Sequence, residues 1–334
     1  MEADIKIKTE LSSVYHRHQQ KNAGFTLIEL MIALALGLII VAAGLAVFLS
    51  SSRSLGLQSS MGELQQNANF GLSLVTHDLR HTNLNTLSSQ RVNNITIGSG
   101  LIFKKENLPT ALQNFSNLET EYATLENKSL DNTSGNSDQL TMQYVPASST
   151  VTDCEGNDIE DASSKNIIQR YYVAETPQQL DGEPKSYSLY CDAGYYEASD
   201  NTIIGLGENA QQIMQRVDAF KIRLGIRNPA GNLRYMTVNE YITEMDKILG
   251  EGECETDKYA KNCTSTYLNV VSIDVGILSR STGSIGADAN LNTKKTFEVA
   301  GSSVTLAGDE ALNKKYLRQA VNQVVAIRNT LGAS

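Results

Sequence analysis

The chain has 334 residues, with 28 Lys and Arg against 37 Asp and Glu, no Trp and four Cys. A formal net charge of −9 gives no electrostatic footprint for nucleic acid, so no direct nucleic-acid binding is expected. The length admits two domains, but the first ~50 residues read as a leader and a membrane segment, leaving one large or two small globular units.

From Phe25 to Leu49 run 25 residues in which Glu29 is the only charge. At ~1.5 Å of rise per residue such a helix is about 37 Å long, enough to cross a hydrocarbon core of roughly 30 Å. Arg17 and Lys21 lie just upstream. By the positive-inside rule they keep the N-terminus cytoplasmic and send the rest of the chain across. A carboxylate near the end of an apolar segment is costly to bury, so Glu29 needs a partner or a purpose. Residues 1–24 carry four of the basic and three of the acidic side chains, which leaves 24 against 34 and a net charge near −10 for the remainder.

Gly24-Phe25-Thr26-Leu27-Ile28-Glu29 resembles the type III signal of type IV prepilins and type II secretion pseudopilins. The resemblance implies that a membrane prepilin peptidase cuts between Gly24 and Phe25 and that the new amine of Phe25 is methylated. It also implies that Glu29 pairs with a neighbouring subunit's N-terminal amine and fixes register in a filament. Residues 1–24 are then a leader, longer than many of its kind. An ordinary signal anchor with a chance glutamate is the alternative.

Leu57, Met61, Leu64, Ala68, Leu72, Val75 and Leu79 are spaced 4, 3, 4, 4, 3 and 4, the apolar stripe of an amphipathic helix. No proline interrupts residues 25–108, so one helix is expected from 25 to about 84. Residues 25–49 form its transmembrane or filament-core half, and 50–86 its amphipathic continuation. Gly37 and Gly44 read equally as points of local melting or, with Ala33 four residues before Gly37, as sites of close helix packing.

Residues 87–334 read as a β-rich globular domain in the periplasm. Strands are expected at 94–97, 101–103, 139–145, 167–174, 187–191, 220–227, 233–237, 268–279 and 319–328, all rich in β-branched and aromatic residues. Asn228-Pro229-Ala230-Gly231-Asn232 reads as a turn, 238–249 as a short helix, and 104–138 and 280–316 as polar loops or insertions. Cys154, Cys191, Cys254 and Cys263 all fall in the exported part, and an even number there reads as two disulfides. Pairing 154 with 191 and 254 with 263 is simplest, each bracketing a polar segment; the other two connectivities stay open. The expected fold class is α+β: a long N-terminal helix packed on an antiparallel sheet with β-rich insertions.

Several stretches carry a looser resemblance to the PilW family of minor pilins, itself similar to the J-type pseudopilins. They are Arg170-Tyr171-Tyr172-Val173-Ala174, Ser188-Leu189-Tyr190-Cys191, residues 216–222, residues 269–280 and Val324-Val325-Ala326-Ile327-Arg328-Asn329. The resemblance implies a pilin-like fold and a structural protein with no catalytic residue and no cofactor. It implies a minor pilin in the inner membrane that joins other minor pilins in a priming complex and starts type IV pilus assembly, with the pilus tip as its final place. Its partners would be the other minor pilins, the major pilin, the prepilin peptidase, the inner-membrane assembly platform and a PilY-type tip adhesin. The rival roles are a type II secretion pseudopilin and a tip module for adhesion or DNA uptake.

Other motifs have bland readings. Gly205-Leu206-Gly207-Glu208-Asn209-Ala210 matches a dinucleotide fingerprint, with a helical stretch expected at 211–217, but it lacks the βαβ context and reads as a loop. The acidic run 153–161 reads as a solvated loop pinned by a disulfide rather than a calcium site. His77 and His81, four apart beside Asp78, have the spacing of a metal clamp but read as an exposed helix face, and no metal is assigned. Tyr195 and Tyr196 are candidates for an exposed partner surface, or for strand or core positions.

Overall fold

A computed structural model describes residues 24–87, 91–128, 133, 137–285 and 294–330, so the leader other than Gly24 lies outside the described residues. Two compact units divide the chain after Ser54. Helix α1 (Leu27–Leu79) has 53 residues and continues unbroken through Gly37 and Gly44. It stops before the expected residue 84. Arg80, His81 and Thr82 donate to carbonyls three residues back, which tightens the chain into turns, and Asn83 and Asn85 then take left-handed φ of 66° and 51°.

In the unit Leu55–Ser334 the strands are β1 (Leu125–Lys128), β2 (Ser137–Tyr144), β3 (Thr150–Thr152), β4 (Asp158–Glu160), β5 (Asn166–Glu175), β6 (Tyr187–Tyr196) and β7 (Gln211–Gln215). They continue with β8 (Val217–Arg227), β9 (Leu233–Met236), β10 (Asn269–Arg280), β11 (Thr296–Val299), β12 (Ser302–Thr305) and β13 (Arg318–Ala326), and helix α2 (Val238–Leu249) follows β9. One sheet has the order β1-β2-β5-β6-β7 and the second β13-β10-β8-β9. All their pairings are antiparallel, as in the ribbons β11–β12 and β3–β4. The chain is therefore α+β, a long N-terminal helix followed by antiparallel sheets.

The apolar stripe of α1 sets the core. Leu64, Ala68, Leu72, Val75 and Leu79 are buried, and the last four join Leu140, Met142, Tyr171, Leu189, Met214 and Phe220 in one cluster. Each large side chain withdrawn from water there contributes about 1.5–3 kcal/mol. The stripe is shorter than its periodicity suggests, because Met61 is half exposed. Gly71 belongs to the buried face for a steric reason: a Cβ there would lie 2.5 Å from Sδ of Met214, so the missing side chain lets β7 close on the helix.

Two expected strands do not form. The Asn93 side-chain oxygen accepts from the backbone N–H of Ile95 at 3.0 Å and Thr96 at 2.8 Å, which bends 94–97 out of any ladder. Residues 101–103 make a single bridge, Leu101 to Met142. Conversely, β6 runs five residues past Cys191. Tyr196 is thereby buried, donating from its hydroxyl to Oε1 of Gln143 at 2.7 Å, and Tyr195 is partly buried, so the strand-and-core alternative holds for the pair rather than an exposed partner surface. Residues 211–215 are strand rather than helix, which removes the dinucleotide reading of Gly205 and Gly207; both adopt positive φ in the loop that enters β7. Gly194 lets that loop lie against β6, since a Cβ would meet the Ile204 carbonyl and the Leu206 amide at 2.8 Å.

Ser137 and Asp138 join the two sheets. Ser137 Oγ accepts from Phe220 N, while Asp138 accepts from Lys221 Nζ at 2.8 Å and Ile222 N at 2.9 Å. Burial pushes the Asp138 carboxyl up to about 6 against the opposing pull of Lys221. Helix α2 starts with a reciprocal cap: Glu240 N donates to Thr237 Oγ1 and Thr237 N to Glu240 Oε2.

The disulfides are Cys154–Cys191, with Cα atoms 6.1 Å apart, and Cys254–Cys263, at 5.1 Å. The first ties the β3–β4 turn to β6 across 37 positions, the second closes a separation of nine. Loop closure in the unfolded chain scales with length, so replacing Cys154 and Cys191 by Ser should cost about 3–4 kcal/mol. The same change at Cys254 and Cys263 should cost about 2.5 kcal/mol. Urea unfolding of the two double variants measures both, and an equal loss would show that chain entropy is not the source.

Candidate functional site

The segment with the strongest chemical demand is the start of α1. Sixteen large apolar side chains between Phe25 and Leu49 are half or more exposed in the single chain. Leaving those side chains in water forfeits on the order of 25–50 kcal/mol. That exceeds the ~5–15 kcal/mol that holds an ordinary domain folded. The segment is long and apolar enough to cross a membrane, and anchors the chain with its globular domain C-terminal to it.

Glu29 sits in the first turn, at the third helical position. Its Oε2 accepts from Thr26 N and Thr26 Oγ1, both at 3.4 Å, and its own N–H donates to Thr26 Oγ1 at 3.3 Å. That is a capping box, and the acid also faces the positive end of the helix dipole. The bonds are long, near the outer limit for hydrogen bonds, so the carboxylate is loosely held. Gly24 has open space where a side chain would stand, and Phe25 is 85% exposed. Gly24, Phe25 and Glu29 are thus brought together at one accessible helix start. Thr26 completes the group; T-x-x-E before an apolar run was its signal in the sequence, overshadowed there by the signal-peptide pattern.

The face carrying His77 is exposed, as the sequence suggests, while Asp78 and His81 are partly buried against the sheet. Asp78 Oδ2 accepts from the hydroxyl of buried Tyr171, Asp78 Oδ1 lies 3.1 Å from His77 Nδ1, and the His81 ring stacks on Tyr144 with centroids 5.5 Å apart. Burial, then the neighbouring His77, lower the His81 pKa, with Asp78 opposing them. The acidic run forms the β3–β4 hairpin. Asp153 Oδ1 accepts from the Glu155 and Asn157 amides at 2.9 Å, and Glu155 Oε1 from Ala193 N at 3.0 Å. Burial raises the Glu155 pKa.

The stretches from Arg170 to Asn329 carry the buried ion pairs of the globular unit. Arg170 meets Asp192 at 2.5 Å, and Asp218 lies between Arg318 (Nε donating to Oδ2, 2.6 Å) and Arg280 (3.8 Å).

A membrane-length helix with a prepilin-like start precedes antiparallel sheets, a pilin-like arrangement, and residues 19–45 match the prokaryotic N-terminal methylation motif. Residues 170–329, from β5 to just beyond β13, match the family model of type IV pilus-assembly protein W. The chain carries a PilW-family domain behind a prepilin-type signal, and these matches support a minor-pilin role in the type IV pilus. Such a protein works with other pilus components. No curated protein and no solved structure matches the chain.

Proposed function

We propose that this protein helps initiate type IV pilus assembly as a minor pilin in a membrane-bound priming complex, and that it remains at the pilus tip. Cleavage between Gly24 and Phe25 frees an amine that is methylated, residues 1–24 are lost, and 25–49 act first as inner-membrane anchor and then as filament core. Residues 50–86, helical as far as Leu79, lead from it into the periplasmic domain 87–334. The observation that carries this reading is the apolar stretch from Phe25 to Leu49, uncovered in the single chain, with one loosely capped acid at its start. An apolar rod that merely tethers cargo has no use for the acid. A filament of parallel rods does, because each carboxylate can neutralise the amine of the next subunit.

The role is assembly rather than catalysis. The two disulfides suit an oxidising compartment outside the cytoplasm. Partners of this reading are the other minor pilins, the major pilin, the prepilin peptidase, the assembly platform and a PilY-type adhesin at the tip. The PilW match favours the pilus over type II secretion. Mass spectrometry of the protein purified from its native envelope tests the first step. Expected is a chain beginning at N-methylated Phe25; a chain that keeps residues 1–24 overturns the proposal.

A further inference from the structure

At the C-terminal end of α1, His77, Asp78 and His81 place one ligand atom each within 4.8 Å of one another. The two rings are four residues apart, His77 in the last turn of α1 and His81 in the turn that follows it, with centroids separated by 5.2 Å. Two features orient the set from outside. The Tyr171 hydroxyl, from a side chain 1% exposed on β5, donates to Asp78 Oδ2, and Tyr144 of β2 supports one face of the His81 ring. Hydrogen bonding of a ligating carboxylate by a buried neighbour is the arrangement that fixes metal ligands in place. The His77 side chain is 68% exposed, so the group is open to solution from the helix side, and Asp78 also borders a cleft of about 350 Å³.

We propose that His77, Asp78 and His81 form a binding site for one divalent first-row transition ion, Zn²⁺ in the first instance. Two imidazoles and one carboxylate are the donors that such ions take, with a fourth position left for water. Ca²⁺ wants six to eight oxygens and is excluded by the donor set. Bound there, the ion fastens the last turn of α1 to the first sheet, since Asp78 is held from β5 and His81 from β2. The ion therefore stiffens the end of the helix within the globular unit.

The test uses the untagged full chain in detergent, carrying His16→Asn and His18→Asn so that His77 and His81 are its only histidines. Calorimetric titration should show one Zn²⁺ per chain, no Ca²⁺ uptake, and a Tm higher by about 5–10 °C when Zn²⁺ is about 100-fold above Kd. Tyr171→Phe, which removes only the outer hydrogen bond, should weaken binding about 10–100-fold. His77→Ala changes a mostly exposed side chain and should abolish uptake with the far-UV circular dichroism unchanged. No Zn²⁺ uptake by the reference chain, uptake that survives His77→Ala, or an equal response to Ca²⁺ each overturns the proposal. The result is independent of leader removal.

Discussion

Chains carrying Gly24→Val are expected to keep residues 1–24 and to be absent from pili. Open space surrounds the Gly24 Cα, so the substitution disturbs nothing in the folded chain. Its effect is confined to the extended backbone a peptidase must admit, where a β-branched side chain is stiff and bulky. Sheared pili and membrane fractions probed by mass spectrometry read both outcomes. Glu29→Ala is the complementary case: the chain is cleaved normally but fails to assemble. Loss of the capping box costs about 0.5–2 kcal/mol at one end of a 53-residue helix, too little to melt it. An assembly defect therefore reports a contact outside the chain. Glu29→Gln separates the two roles, because the amide can still cap through its oxygen yet cannot neutralise an amine. Pili of normal number from Glu29→Ala cells would refute the register role.

Asp218→Ala should be the most damaging single change within the globular unit, costing about 5 kcal/mol. Asp218 has no exposed surface, and neither do the side chains of Arg280 and Arg318. Arg318 is well satisfied, donating to Asp218 at 2.6 Å, to the Asn313 carbonyl at 2.9 Å and to Asn313 Oδ1 at 2.7 Å. Arg280 is not. Its Nη2 reaches the Lys185 carbonyl at 3.0 Å, while Nε and Nη1 have no hydrogen-bond partner among the described residues. Burial pulls its pKa down, and the Asp218 charge is the largest influence holding it up. Removing Asp218 strands two guanidinium groups in the interior, where an uncompensated charge costs several kcal/mol. Urea unfolding should show a lower midpoint at unchanged slope. Exchanging all three groups for apolar residues of similar volume should recover most of the loss. A loss under about 1 kcal/mol for Asp218→Ala would mean that water or another carboxylate serves the pair.

The parts of the fold that follow from local pattern are legible in the sequence. Leu64 to Leu79 repeat at three and four residues, and that face is buried. The turn at Asn228–Asn232 closes as Pro and Gly dictate, with Asn228 N donating to the Asn232 carbonyl at 3.0 Å. Helix α2 begins and ends where Thr237, Glu240 and Gly250 place its caps. Strands of mixed or polar composition are not legible, because a partner rather than a propensity makes them. Gln211–Gln215 becomes β7 only by pairing with β6 beneath Gly71. At 94–97 one asparagine side chain outbids the β-branched neighbours. The helix start was legible as a signal, whereas the hold of Tyr171 on Asp78 spans 93 positions and no spacing rule reaches that far.

Asn329 donates to the backbone carbonyl of Thr82 at 2.9 Å and accepts from the side chain of Asn83 at 3.3 Å. Those partners are separated by nearly 250 positions, which a ribosome needs roughly 10–50 s to traverse. During that interval the turn after α1 lacks its C-terminal partner. Gly100, Gln143 and Val145 bond Asn83 and Leu84 long before that, so the segment is fastened in two stages, and a chain stalled before Asn329 emerges should keep only a residual protease sensitivity at 80–85 that the last stretch of synthesis removes.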